Sequence, residues 1–335
     1  MELFAHGGLL AANLLSPIVL AFLIGIIAGL VKSELEFPQP VLNAISIYLV
    51  LAIGIAGGVE LSQADLAAVW RPALLAVGLA LALPAWCYWI LRRSGRFAIS
   101  DAASLAAHYG SVSSVTFMAA LTFATRASEA ANDPALKPEA FLPVLASLME
   151  WGLLVALFIG RWRLARSGSL VQAPFGSLVL DALRARSVVL MLGGFLLGWL
   201  VGEKGFAPIK PVFADLFRGI LVLYLLEMGM VAARQFAAVR QAGLPLLAFA
   251  LLAPVLHGVV GTALGHWAGL GPGGAFVLGA ICASASYIDA PAAVRSQLPQ
   301  ANPGMALSAS LGVTFPFNLL VNLPLLWWWT TWLAR

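Results

Sequence analysis

The sequence predicts an all-α membrane protein of about ten transmembrane helices in two inverted five-helix repeats. Three observations predict it. The first is composition: 61% of the 335 residues are hydrophobic and only 10% are charged, against about 25% charged in a soluble globular protein. So few charges cannot cover a water-facing surface, whereas a lipid-facing one needs none. The second is recurrence along the whole chain of apolar stretches near the roughly 20 residues that a spanning helix requires. The third is a resemblance between the two halves.

In chain order the spans fall near 14–32, 41–62, 70–92, 101–125, 140–160, 187–202, 213–233, 244–268, 273–294 and 307–330. The first is an apolar run that continues to Val31, and Met1–Ser16 lacks a basic segment, so no cleavable signal peptide is expected. The second carries Gly54 and ends near Glu60, which can reach water. The third begins at Arg71-Pro72, and the eighth at Leu244-Pro245. The fourth and ninth are the least hydrophobic, rich in Gly, Ser and Ala instead of Leu. The fifth carries Glu150 and the seventh Glu227. The tenth ends in Trp327, Trp328, Trp329 and Trp332, an aromatic belt. The longest polar gap is Arg161–Ser187. The expected organisation is a first repeat over 1–165, a cytoplasmic linker over 166–186 and a second repeat over 187–335.

Ten spans put both termini on one side. Most of the 19 Lys and Arg, including Arg92, Arg93, Arg96, Arg161, Arg163, Arg166, Arg184 and Arg186, then fall on the other. The positive-inside rule makes that richer side cytoplasmic and the termini external. The net charge of +4 reflects these loop cations. No arginine run is interleaved with aromatics, so no nucleic-acid partner is expected. Cys87 and Cys282 lie in apolar stretches and read as small buried hydrophobes.

The halves match best at 106–120 and 279–293. At an offset of 173, Ser111 meets Ser284, Ser113 meets Ser286, and Thr116 meets Asp289. Five spans per half is odd, so the second half enters the membrane the opposite way. That is the inverted-repeat signature of secondary transporters, which bind solute near the midplane where helices are interrupted. An interrupted helix exposes N–H groups that suit anions and carbonyls that suit cations. The small residues of Gly110–Thr116 and Ser284–Pro291 would allow close backbone approach, although small residues also serve plain helix packing. Candidate anion-binding residues are therefore Gly110, Ser111, Ser113, Ser114, Ser284 and Ser286.

Carboxylates inside a membrane are costly and mark function by default. Asp289 is the leading one, as a cation ligand or a proton carrier. Glu150 has Asn318 as its expected repeat-mate, and hard cations such as sodium favour such oxygen ligands. The candidate sodium ligands are Thr116, Asp289, Glu150 and Asn318. For Glu150 and Glu227 structural pairing is an equal reading. His108 and His257 read as hydrogen-bonded structural residues, and no Cys/His cluster has metal spacing. Neither a nucleotide loop nor a hydrolase elbow is present, so no enzyme activity and no cofactor is expected. Sodium is expected as the coupling ion.

At LSPIVLAFLIG (15–25), IGIAGG (53–58), DAASLAAHYGSVSSVTFMAAL (101–121), LFRGILVLYLLEMGM (216–230), LAPVLHG (252–258) and PAAVRSQLPQANP (291–303), the chain resembles the cyanobacterial sodium-dependent bicarbonate transporter family. The resemblance implies ten spans and symport of bicarbonate with sodium. It further implies a core domain moving against a scaffold (gate) domain, elevator-like, within a homotrimer; the expected location is the bacterial inner membrane, with the termini periplasmic by the loop charges above. It points to Gly110, Ser113 and Thr116 with Ser284 and Ser286 as the substrate and sodium region. The chain departs from the family at Tyr287, where the pattern is acidic, at Asp289, where it has serine, and at Ala52, where it has lysine. In a helix, a two-residue shift turns a carboxylate by about 200°. Cyanobacterial members pair a longer cytoplasmic region with a regulatory PII-like partner, and the short segment here argues against that partner. The alternatives are another small anion or organic acid with proton coupling through Asp289, or a membrane sensor that has lost transport.

Overall fold

Hydrophobicity spread all round a helix leaves it no polar face, and such helices must bury in protein or lipid. The computed structural model describes residues 15–63, 66–168, 184, 186–241, 243–288 and 290–334, and every regular element among them is helical. In order these are α1 (Pro17–Leu30), α2 (Gln39–Leu61), α3 (Leu66–Arg93), α4 (Ile99–Tyr109), α5 (Ser114–Ala131) and α6 (Leu142–Arg166). They continue with α7 (Arg186–Phe206), α8 (Phe217–Gln241), α9 (Leu244–Trp267), α10 (Pro272–Cys282), α11 (Ala290–Gln297) and α12 (Pro303–Leu333). Among the described residues seven helical stretches are long and apolar enough to cross a membrane, and α1 and α10 are shorter apolar helices. Most of the 166–186 linker expected from sequence lies outside the described residues.

The stretch expected as one span at 101–125 is two helices, α4 and α5, separated at 110–113. The ninth is likewise α10 and α11, separated over residues 283–289. In the first, Ser113 is extended and its hydroxyl accepts from Thr116 N–H at 3.3 Å, an N-cap that starts a new helix instead of continuing the old one. These least apolar segments are the most enclosed: every residue from 102 to 120 and from 273 to 287 is buried.

Two tight helix pairs flank them: α1 packs along α8, and α2 along α7. Glycine makes both possible. A methyl added at Gly25 would stand 1.9 Å from the Leu226 carbonyl oxygen, and one at Gly58 would stand 2.0 Å from that of Phe195. Such contacts admit backbone against backbone only where no side chain intervenes.

The last helix is wide in two places. Residues Ser308–Thr314 and Asn318–Asn322 wind as π-turns. Each is followed closely by a proline, Pro316 and Pro324, whose missing N–H leaves a carbonyl one turn back unbonded. Widening the turn is one way a helix absorbs that loss. The bundle is further tied by Arg161, whose Nη1 donates to the Gln297 side chain at 2.6 Å, and by Asn302 N–H donating to Asp101 at 2.8 Å.

Candidate functional site

The two breaks meet. Ser113 N–H donates to the Ser284 hydroxyl at 2.9 Å, and Ser286 N–H donates to the His108 carbonyl at 2.7 Å. The Ser284 hydroxyl in turn donates to the Ile281 carbonyl at 2.7 Å. Backbone interrupted inside a bundle must find new partners, because an unsatisfied buried N–H or carbonyl costs about 1–3 kcal/mol. Here each break supplies some of the other's.

The remaining partners come from α6 and α12. Glu150 Oε2 accepts from Val112 N–H at 2.8 Å, across the first break. Asn318 Nδ2 donates to the Ala283 carbonyl at 2.7 Å, at the second. Asn322 Nδ2 donates to Asn318 Oδ1 at 2.8 Å, which fixes the amide so that its nitrogen faces the break. Glu150 and Asn318, expected as sodium ligands, are thus seen bracing backbone.

The other sequence-predicted residues divide by what they do. Gly110 ends α4 with its carbonyl against Gly152, where a methyl would stand 1.8 Å from that oxygen. Ser111 turns its hydroxyl back to the Ala107 carbonyl at 2.8 Å, so it is held within its own helix end. Ser113, Ser284 and Ser286 sit at the crossing, with Ser114 and Thr116 in the first turn of α5. The Ser286 hydroxyl lies 3.5 Å from Ala290 N–H, at the start of α11. Asp289 lies outside the described residues. No group of three or more His, Cys, Asp or Glu forms a metal site among the described residues. Tyr287, where the family pattern is acidic, is buried edge-on against Phe315 with ring centroids 5.4 Å apart. Ala52, where that pattern has lysine, is buried too.

Several participants were not singled out in the sequence. Gly152 is one, although its place two residues after Glu150 could have marked a close approach. Pro84, inside α3, is another: a methyl at Gly110 would meet its Cβ at 2.4 Å. Asn322 carried a signal, the Asn318/Asn322 spacing of four that places two amides on one helix face. Glu139, in the turn before α6, was not singled out either, and it lies at the other end of α10 from the crossing. Its Oε1 accepts from Gly271 N–H at 2.6 Å, at the start of α10. Burial pushes the Glu139 carboxyl above the ordinary range, more than that N–H lowers it. His257 stands 3.9 Å from the Cys87 sulfur, and both cysteines are free and buried.

Chemically, the crossing offers the N-terminal turn of α5, where peptide N–H groups point toward the break and favour negative charge. Beside it lie serine hydroxyls, which donate or accept, and a carboxylate and carbonyls, which only accept. A small anion and a small hard cation can both be served there. A family model, that of the Na+-dependent bicarbonate transporter superfamily, matches residues 17–331. No curated protein matches the chain at a significant level. With nearly its whole length matched and its broken helices set in an apolar bundle, the chain belongs to the Na+-dependent bicarbonate transporter superfamily.

Proposed function

We propose that this protein carries bicarbonate, or a similar small anion, together with sodium by alternating access at the crossing of its two broken helices. The observation that carries the reading is the mutual hydrogen bonding of the two breaks, Ser113 with Ser284 and Ser286 with His108. Membership of the family implies sodium-dependent bicarbonate transport at the level of the superfamily. The anion is assigned to Gly110, Ser111, Ser113, Ser114, Ser284 and Ser286. Sodium is assigned to Thr116, Asp289, Glu150 and Asn318, with Glu150 and Asn318 bracing backbone as they coordinate.

The packing supports two inverted repeats. Pairing α4–α5 as one span and α10–α11 as another gives ten, five before the linker and five after. Under that pairing the first span corresponds to α7 and the second to α8. The contacts then map onto each other: α1 with α8 answers α7 with α2, α3 with α4 answers α9 with α10, and α5 with α10 answers α11 with α4. Glu150 and Asn318 answer each other as braces. The glycine-packed helices α1, α2, α7 and α8 form the scaffold in this reading, and the rest form the core that slides against it. Homotrimer assembly, the bacterial inner membrane and periplasmic termini complete the reading.

Uptake of labelled bicarbonate into proteoliposomes, with and without an inward sodium gradient, tests it. Sodium-dependent uptake is expected, and uptake indifferent to sodium would overturn sodium coupling. A proton-coupled variant of the reading rests on Asp289, whose place the family pattern gives to serine. It predicts pH-dependent uptake that disappears in Asp289→Asn.

A further inference from the structure

Between α1, α5 and α12 lies a cavity of about 120 Å³, with room for an ion of a few heavy atoms. Its lining runs down α5 from Ala130, which is exposed, through Arg126 and Thr122 to Ala119, which is buried. At a helical rise of about 1.5 Å per residue, Ala119 stands roughly 9 Å along the helix from Ser113. On α12 the floor is Leu319, the neighbour of the bracing Asn318. The cavity therefore leads from the surface toward the crossing and stops short of it.

Its chemistry has one sign. Apart from Ser16, Thr122 and Arg126 every lining residue is apolar. Arg126 is half-buried and, among the described residues, forms no ion pair. Glu129, the acid nearest along α5, is paired with Arg218 at 3.6 Å instead. A guanidinium offers five donors and no acceptor. The Ser16 hydroxyl accepts from Val19 N–H at 3.3 Å, which leaves its proton to give. Thr122 also has a proton to give. A narrow apolar-walled cleft whose cation pairs with no acid among the described residues raises the local concentration of anions and turns cations away.

We propose that this cavity is a vestibule that binds a small monovalent anion before it reaches the crossing, with Arg126 as the residue that selects for negative charge. That the anion is cargo rests on the function proposed above. Binding in the vestibule does not, so the two can fail separately.

The test uses the full chain in proteoliposomes with a reporter thiol at the cavity floor, Ala119→Cys, and a second at Ala127→Cys. The native Cys87 and Cys282 are buried, so background labelling is low. An anionic and a cationic methanethiosulfonate of similar size are compared. The anionic reagent is expected to react about tenfold faster or more. Adding Arg126→Gln is expected to erase that preference, and Arg126→Lys to restore most of it. Bicarbonate is expected to slow the anionic reagent, and Arg126→Gln to raise the KM for bicarbonate uptake while leaving the maximal rate within about twofold. A charge preference unchanged by Arg126→Gln, no protection by bicarbonate, or no labelling at either reporter would overturn the vestibule. Labelling as expected without sodium-driven uptake would leave the vestibule standing and overturn the transport reading.

Discussion

At the first break a carboxylate, Glu150, accepts from the Val112 N–H; at the second an amide, Asn318, donates to the Ala283 carbonyl. The breaks are otherwise alike: a short helix ends, a few small residues cross, and a second helix starts. The difference follows from what each brace is asked to satisfy. Val112 lies just before the N-terminus of α5 and presents a donor, whereas Ala283 closes the C-terminus of α10 and presents an acceptor. A carboxylate serves only the first and an amide nitrogen only the second. The braces are therefore matched to backbone polarity: a carboxylate cannot replace the amide at the second break, although an amide oxygen can replace the carboxylate at the first.

Exchanging the chemistry of the second brace breaks the comparison most severely. Asn318→Asp removes the donor, leaving the Ala283 carbonyl unsatisfied at a cost of about 1–3 kcal/mol. It also sets a buried carboxylate against a carbonyl oxygen, which adds to that cost. A large drop in the midpoint of thermal unfolding in detergent is expected, with loss of sodium-dependent uptake. Gly152→Ala comes next. Its methyl would stand 1.8 Å from the Gly110 carbonyl oxygen, so the first break must shift. Overpacking of this kind costs about 1–3 kcal/mol, read by the same unfolding midpoint.

Ser284→Ala removes the hydroxyl that joins the breaks. A net stability loss of about 1 kcal/mol is expected. Uptake is expected to fall about tenfold, the equivalent of roughly 1.4 kcal/mol at the transport site. Glu150→Gln sharpens the comparison from the other side, because the amide oxygen still accepts from Val112 N–H. At that bond charge assistance is lost, and stability should fall by about 1 kcal/mol. A fall in sodium affinity much larger than that fall in stability would mark Glu150 as a sodium ligand as well as a brace.

The smallest effect is at Glu139. Its carboxyl is raised in the folded protein by burial, so the protonated form is the one folding favours. The stability it contributes is present in full below the ordinary carboxylate range and lost as pH rises through the raised value. Glu139→Gln, an uncharged mimic, should therefore be slightly more stable than the native protein at neutral pH. Its unfolding midpoint should also vary less with pH on the acid side of neutral.

The sequence exposed much of this. Residues 106–120 and 279–293 stood out because Gly, Ser and Ala replaced Leu, and those are the segments where the helices break. Glu150 and Asn318 were legible as a pair because both are polar in strongly apolar surroundings. Their role as backbone braces was not legible, since a side chain that coordinates an ion and one that holds an N–H look alike in a string of letters. Gly152 was hidden for a different reason. A glycine in an apolar helix is common, and its meaning here comes from Gly110 some forty residues away. The tie between Glu139 and Gly271 depends on two loops folding together, which no local pattern encodes. The span count was harder still. Once a helix breaks at 110–113, α4 is too short to register as a crossing and α5, at 18 residues, is too polar, and Asp289 lies outside the described residues.

The central claim is that the meeting point of the breaks is where cargo binds. A density map of the protein in lipid nanodiscs at saturating sodium bicarbonate tests it most directly. Non-protein density is expected between residues 113–116 and 284–286, within hydrogen-bonding distance of the first-turn N–H groups of α5. Density for anion and sodium elsewhere in the bundle, with the crossing filled by protein atoms alone, would contradict it.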